Sequence, residues 1–305
     1  MLEPLPDDAF QAPPSVWVLW RERLRRRALR SIKRLVRPGW MKRLARQNLQ
    51  SRESLLDPTG PVVSLTTFGP RLQGVFYTLE SIGAGTLKPS RLVLWLEHEL
   101  IEQGLPETLQ RLRDRGLEVY GTEDYGPHKK YLPQVMSEPH PTRPLVTADD
   151  DVLYPRDWLA GLMRAHERLP EAIVCFRAHR IAFDAQGQLL PYAQWPACED
   201  TRPDHRHFLT GVSGVLYPVR MQLALRERGL AFQACCPRAD DIWLNATALR
   251  TGVPVAQITP VGRTFFEIPG TRSNGLARSN VQGGGNDAQL RATFTPEELE
   301  RLRRA

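Results

Sequence analysis

The sequence predicts an α/β fold, a mostly parallel sheet flanked by helices and preceded by a basic helical extension. Three observations carry this. From Val62 onward, short apolar runs of strand length alternate with amphipathic stretches of helix length. The short runs are apolar at consecutive positions, as in parallel strands covered on both faces. Charge is also segregated: residues 20–46 hold twelve arginines and lysines against Glu22 alone, so a formal charge of +7 hides a mildly acidic body.

The elements follow in order. Trp17, Trp20, Leu24, Ala28 and Leu35 recur near helical spacing with arginines between them, which predicts a basic amphipathic helix. Such a helix suits an anionic membrane surface, a packed position with a solvated basic face, or a polyanion such as nucleic acid. Pro38-Gly39 is expected to break it, and Asp57-Pro58-Thr59-Gly60-Pro61 reads as the linker into the main domain. Val62 to Thr66 predicts the first strand, Leu72 to Ile82 a helix, and Arg91 to Leu96 the second strand. Pro106 to Arg115 suits a helix with Leu109 and Leu112 on one face and Gly116 as its cap. Leu117 to Tyr120 and Leu145 to Ala148 read as the third and fourth strands. The resulting division is 1–58 for the extension, 59–270 for the main domain and 271–305 for a C-terminal segment with a terminal helix.

Composition narrows the classes. At 305 residues, 41% hydrophobic and 25% charged, the chain is an ordinary globular one of one or two domains. No apolar run approaches the ~18 residues of a membrane span. Met1 to Asp8 are acidic, which argues against a secretory signal and for the cytoplasm, with the inner face of the membrane as a peripheral site. Cys175, Cys198, Cys235 and Cys236 form neither a disulfide framework nor a C-x-x-C zinc pair, and read as buried or incidental thiols. There is no G-x-x-x-x-G-K-[ST] loop and no G-x-G-x-x-G after a strand, so phosphate-loop and dinucleotide enzymes lack support.

Ligands of parallel sheets bind beyond the carboxyl ends of the strands, which singles out Thr66-Thr67-Phe68 and Asp149-Asp150-Asp151. Side chains at i and i+2 of a strand share a face, so Asp149 and Asp151 are expected together with Asp150 opposite. Carboxylates so close repel, and Mg²⁺ or Mn²⁺ with a substrate diphosphate is the usual remedy. A solvated acidic turn is the simpler alternative; an all-helical prenyl-diphosphate signature does not suit a β-type run followed by Pro155. A second pair, Asp240-Asp241, opens a helical stretch to Leu249, where an aspartate can cap the helix or complement its dipole. Between the pairs, Thr210-Gly211-Val212-Ser213-Gly214 would let the backbone approach a ligand, or simply turn between core strands.

The ordered segments S-L-T-T-F, L-K-P-S-R-L-V-L-W-L, H-K-K-Y-L-P, T-A-D-D-D-V-L-Y-P-R-D-W-L, F-R-A-H-R-I, F-L-T-G-V-S-G-V-L-Y-P and A-D-D-I-W-L resemble bacterial glycosyltransferases of the GT-A fold related to family 2. The resemblance runs from about Val62 to Val255, with Asn286-Asp287 as a late element, and does not cover the basic N-terminus. It implies a Rossmann-like nucleotide-sugar-binding domain using Mn²⁺ or Mg²⁺. Asp151 would ligate the metal directly, with Asp149 behind it or on the ribose. Thr66, Thr67, Arg71, Lys129, Lys130, Asp149 and Asp150 would hold a UDP- or GDP-sugar. Gly211, Val212, Ser213, Gly214 and Trp243 would line the donor and acceptor side. Asp241, or else Asp240, would be the general base of an inverting transfer to a glycan or lipid-linked acceptor. No histidine follows His207, so the late metal-binding histidine of many such enzymes is absent. Asp184 to Arg206 would lie near the acceptor, with Trp195 and His205 contacting sugar or packing. The basic stretch 16–46 would meet an anionic membrane surface, and no nucleic acid is expected.

Overall fold

Helix α1 (Val16–Gln50) begins at Ser15, whose hydroxyl accepts the Val18 N–H, and continues through Pro38. The computed structural model describes residues 15–271 and 285–304. Met1 to Asp8 and the side chains of Ala28 and Leu35 lie outside what it describes. The expected break at Pro38-Gly39 does not occur. An interior proline costs about 3 kcal/mol, and contacts on both sides of Pro38 hold α1 to the body. Glu22 pairs with Arg263 and Arg23 with Glu199, while Arg37 donates to the Glu267 carbonyl. Trp40 meets Phe266 edge-on, and Leu44 is buried.

After α1 come β1 (Val62–Thr66), α2 (Val75–Gly83), β2 (Arg91–Glu97), α3 (His98–Glu102), α4 (Glu107–Arg113) and β3 (Leu117–Thr122). Then follow α5 (Leu132–Ser137), β4 (Leu145–Thr147), β5 (Val152–Leu153), α6 (Trp158–Arg168), β6 (Ile173–Cys175), β7 (Ala178–Arg180) and β8 (His207–Leu209). The chain ends with β9 (Val215–Tyr217), α7 (Val219–Arg228), α8 (Asp240–Thr251), β10 (Val255–Gln257), β11 (Phe266–Glu267), α9 (Gly285–Thr293) and α10 (Pro296–Arg304). The predicted β1, β2 and β3 form, and β3 runs on to Thr122. A 3-10 turn at Gly69–Gln73 delays α2 to Val75, because Pro70 and Gly69 favour a tight turn there.

Seven strands form the central sheet in the order β10-β6-β9-β4-β1-β2-β3, with only β9 antiparallel to its neighbours. Helices flank it, giving the mixed, mostly parallel α/β architecture expected of a Rossmann-like GT-A fold. Two small antiparallel pairs, β5 with β11 and β7 with β8, sit beside it. Alternate strand residues feed two cores. Val63, Leu65, Leu92, Leu94, Val146, Val174 and Leu216 pack under α2, α4 and α6. Leu145, Ile173, Cys175, Val215 and Tyr217 pack under α5, α7 and α8. The period of two thus divides each strand between layers.

The C-terminal part of α1 belongs to the first layer. Glu80 of α2 is fully buried and accepts from Arg115 (2.6 Å), Asn48 (3.0 Å) and Gln47 (2.8 Å). Arg111 in turn donates to Asn48. Removing one partner of a buried pair strands the other charge, so Glu80→Ala should cost about 3–5 kcal/mol. Urea unfolding measures that loss, and limited proteolysis should find new cleavage between residues 40 and 55.

Candidate functional site

The chain leaves β4 at Thr147 and turns through the three aspartates, at the carboxyl edge of the parallel strands. Asp149 accepts from Lys130 Nζ at 2.8 Å and from the Ser213 N–H at 3.3 Å, and its own N–H donates to Tyr154 Oη. Asp150 is buried and takes the Thr67 hydroxyl at 2.6 Å and Arg71 Nη1 at 2.8 Å, while its carbonyl accepts from Thr78. Asp151 lies 3.2 Å from the same Arg71 nitrogen. The expected shared face of Asp149 and Asp151 is therefore corrected. The strand stops before the aspartates, the i, i+2 rule lapses in the turn, and Asp150 and Asp151 share Arg71 while Asp149 turns to Lys130.

The second acidic pair reaches the same place. Ala239 occupies the N-cap of α8, so Asp240 and Asp241 stand in the first turn, where the dipole favours them. Gly211 N–H donates to Asp241 Oδ1 at 2.8 Å. A Cβ on Gly211 would lie 3.2 Å from that oxygen and 3.4 Å from Lys130 Nζ, so the loop, the lysine and Asp241 meet closely. Burial works against the charge of Lys130, yet Asp149, Asp240 and Asp241 together hold it well above the ordinary lysine range. Burial raises Asp240, and Lys130 only partly offsets it. Burial and the Asp240 charge lift Asp241 to about 7, against the pull of Lys130 and the Gly211 N–H.

The loop itself is strained. Ser213 has φ +76°, unusual for a residue with a Cβ, and its buried hydroxyl has no hydrogen-bond partner. Gly214 (φ +97°) admits the Trp158 ring, which a Cβ would meet at 2.6 Å; Trp158 Nε1 donates to the Ser213 carbonyl. The backbone conformation that aims one N–H at Asp149 and another at Asp241 is thus held by packing. Val212 is part-exposed at the loop tip.

The other predicted residues divide. Thr66 donates to the Trp95 carbonyl, and Arg71 also reaches the Thr271 carbonyl at 2.7 Å. Lys129 is buried and paired with Glu97 and Asp124, away from the carboxylates that Lys130 meets. Trp243 does not join the Gly211–Gly214 loop: it is buried in the second core, near Phe232 and beneath Arg250. Every residue of α8 from Ile242 to Leu249 is buried, so the helix runs through the core and takes Trp243 with it. Trp195 packs on Tyr192 and Phe208, and His205 is half-buried, its pKa lowered by burial and then by Arg301. The four cysteines are free. Residues unsuspected from the sequence include Tyr154, Thr78 and Asn245, which bridges β8 and α8 by bonding Leu209 and the Asp241 carbonyl. Thr78 meets Asp150, Tyr154 meets Ser81 and Asn245 meets Leu209 across long stretches of chain, so no local pattern marks those contacts.

Among the described residues no group of three or more His, Cys, Asp and Glu is arranged to hold a metal ion. The donor set nevertheless fits a hard cation. Burial, then Asp150 and Asp149, lift Asp151 to about 6 despite Arg71 and Thr271. Mg²⁺ and Mn²⁺ commonly take one or two carboxylates and complete their shell with water and phosphate oxygens. Asp149 has both oxygens engaged, which leaves Asp151 the better ligand.

No family model matches the chain, and no curated protein does. Similar solved structures include residues 1–349 of S. aureus TarS, at 9% identity and a TM-score of 0.44 over 80% of this chain and 69% of that one. Another is CMP:2-keto-3-deoxy-manno-octonic acid synthetase complexed with CTP, at 10% identity and a TM-score of 0.38 over 65% and 88%. Likenesses this distant carry no functional argument.

Lys130→Met would leave Asp149, Asp240 and Asp241 without their shared cation and should cost about 3 kcal/mol at pH 8. The deficit should shrink as pH falls through about 7, where Asp241 takes up a proton and needs the lysine less. Denaturant melts of both proteins at pH 5 and pH 8 measure the difference.

Proposed function

We propose that the chain is a glycosyltransferase, moving a sugar from a nucleoside-diphosphate sugar, UDP- or GDP-linked, to a hydroxyl of a glycan or lipid-linked acceptor with inversion. The observation that carries this reading is the convergence of Asp149 and Asp241 on one strained small-residue loop. Each accepts a backbone N–H from that loop, at the carboxyl edge of a parallel sheet. A donor laid along this edge has its nucleotide toward Thr67 and Arg71, its diphosphate by the aspartate turn and its sugar beneath the loop. Asp241 is the general base. Its carboxyl, lifted to about 7, is about half ionised at neutral pH and basic enough to take a proton. Gly211 fixes one oxygen, leaving the other for the acceptor hydroxyl. As that hydroxyl oxygen bonds the anomeric carbon, the carbon–diphosphate bond breaks, the nucleoside diphosphate keeps the electron pair, and the proton passes to Asp241. Mn²⁺ or Mg²⁺ held by Asp151 would supply neutralisation of charge on the departing diphosphate.

A peripheral membrane position accompanies this reading. No described helix is long and apolar enough to cross a membrane. The start of α1, however, exposes Val16 (80%), Trp17 (78%) and Trp20 (55%) in a basic sequence, as an interfacial helix does. One observation favours a second reading, a catalytically silent nucleotide or glycan binder: Lys130 and Arg71 already pair with the aspartate turn.

Thermal unfolding with UDP, GDP and CMP, each with and without Mn²⁺, tests the donor site. Saturation at a hundred times Kd adds about 2.7 kcal/mol. A shift requiring one nucleotide and the metal, absent in Asp151→Ala, is expected; no shift with any of them would overturn the donor assignment. Sugar transfer lost in Asp151→Ala separates an enzyme from a silent binder. In the enzyme, Asp241→Asn should lower kcat by about 10²–10⁴-fold. The wild-type rate should rise with pH along a limb centred near 7. Because the folded Asp241 binds its proton more tightly than the unfolded chain, its ionisation costs stability as pH rises. Asp241→Asn should therefore melt higher than wild type at pH 8, with the gap closing toward pH 4.

A further inference from the structure

A groove of about 910 Å³ opens between α1 and the body, with Tyr154 in its lining, within the size range of ligand sites. Its apolar wall includes Trp40 and Leu44 of α1, with Gly39 between turns, and three arginines, Arg43, Arg156 and Arg164, line it against a single carboxylate, Asp157. Arg156 spends Nε on the Ala84 carbonyl, which leaves its other nitrogens. Arg164 Nε is sealed from water with no hydrogen-bond partner. Guanidinium groups match phosphate oxygens in pairs, and the apolar wall beside them suits a hydrocarbon chain.

We propose that this groove binds one anionic phospholipid, its phosphate on Arg43, Arg156 and Arg164 and an acyl chain along Trp40 and Leu44. The occupant is amphiphilic because the charge and the apolar wall adjoin. It is a membrane lipid because the same helix leads to exposed Trp17 and Trp20. The proposal does not depend on the sugar-transfer reading. It would put a lipid beside Tyr154, whose hydroxyl accepts the Asp149 N–H, one side chain from the acidic turn.

The test uses the full chain and dihexanoylphosphatidylglycerol below its micelle concentration, followed by calorimetric titration and thermal unfolding. Saturable one-site binding is expected, about tenfold weaker in Arg43→Gln and in Arg164→Gln. Gly39→Leu is the second variant: a Cβ there meets nothing within 4 Å, so the helix accepts it while the longer side chain fills the groove. That variant should melt no lower than wild type without lipid and should lose the lipid-induced shift. Trp17→Ser with Trp20→Ser should keep binding of the monomeric lipid, and inorganic phosphate and dihexanoylphosphatidylcholine should bind at least tenfold more weakly. No saturable binding in wild type, undiminished binding in Gly39→Leu, equal binding of inorganic phosphate, or loss in the tryptophan variant would each overturn the proposal.

Discussion

Five carboxylates, Asp149, Asp150, Asp151, Asp240 and Asp241, gather at the carboxyl edge of the sheet, and two cations, Lys130 and Arg71, stand among them. Like charges brought together in a poorly solvated place repel, and the alternatives are protonation, separation or a counter-cation. The chain uses counter-cations and a raised affinity for protons. Arg71 serves Asp150 and Asp151, Lys130 serves Asp149 and the α8 pair, and burial leaves Asp151 and Asp241 readier to hold a proton than ordinary carboxylates. The excess negative charge is what keeps this edge from being a finished salt-bridge network.

Helix α2 carries that edge mechanically. Thr78 donates to the Asp150 carbonyl, the Ser81 hydroxyl accepts the Tyr154 N–H, and Glu80 between them ties back to Arg115, Gln47 and Asn48. One short helix thus joins the acidic turn to α1, and disturbance of α1 has a covalent and hydrogen-bonded route to the site. The strained Ser213 completes the frame from above, its conformation fixed by Trp158 beneath Gly214. Strain of this sort persists only where the surroundings over-determine it.

Neighbouring residues meet opposite fates, which limits what a motif can say. Lys129 and Lys130 look alike as a basic pair, yet one pairs with Glu97 and Asp124 and the other enters the acidic cluster. The three aspartates look equivalent, yet Asp150 is spent holding Thr67 and Arg71, and Asp149 has both oxygens engaged. Trp243 reads as part of the functional segment but packs inward as a core residue.

The sequence alone determined the α/β class, the three leading strands and the concentration of acidic residues at strand and helix ends, because periodicity and local turn chemistry are short-range properties. It also determined that a tryptophan- and arginine-rich helix comes first. Only the tertiary structure decided that this helix runs unbroken past Pro38, since contacts with Glu267, Phe266 and Glu80 lie far along the chain. Only it decided which carboxylate each cation serves. Ion pairing in a buried cluster depends on distances between elements that no spacing rule within one element encodes.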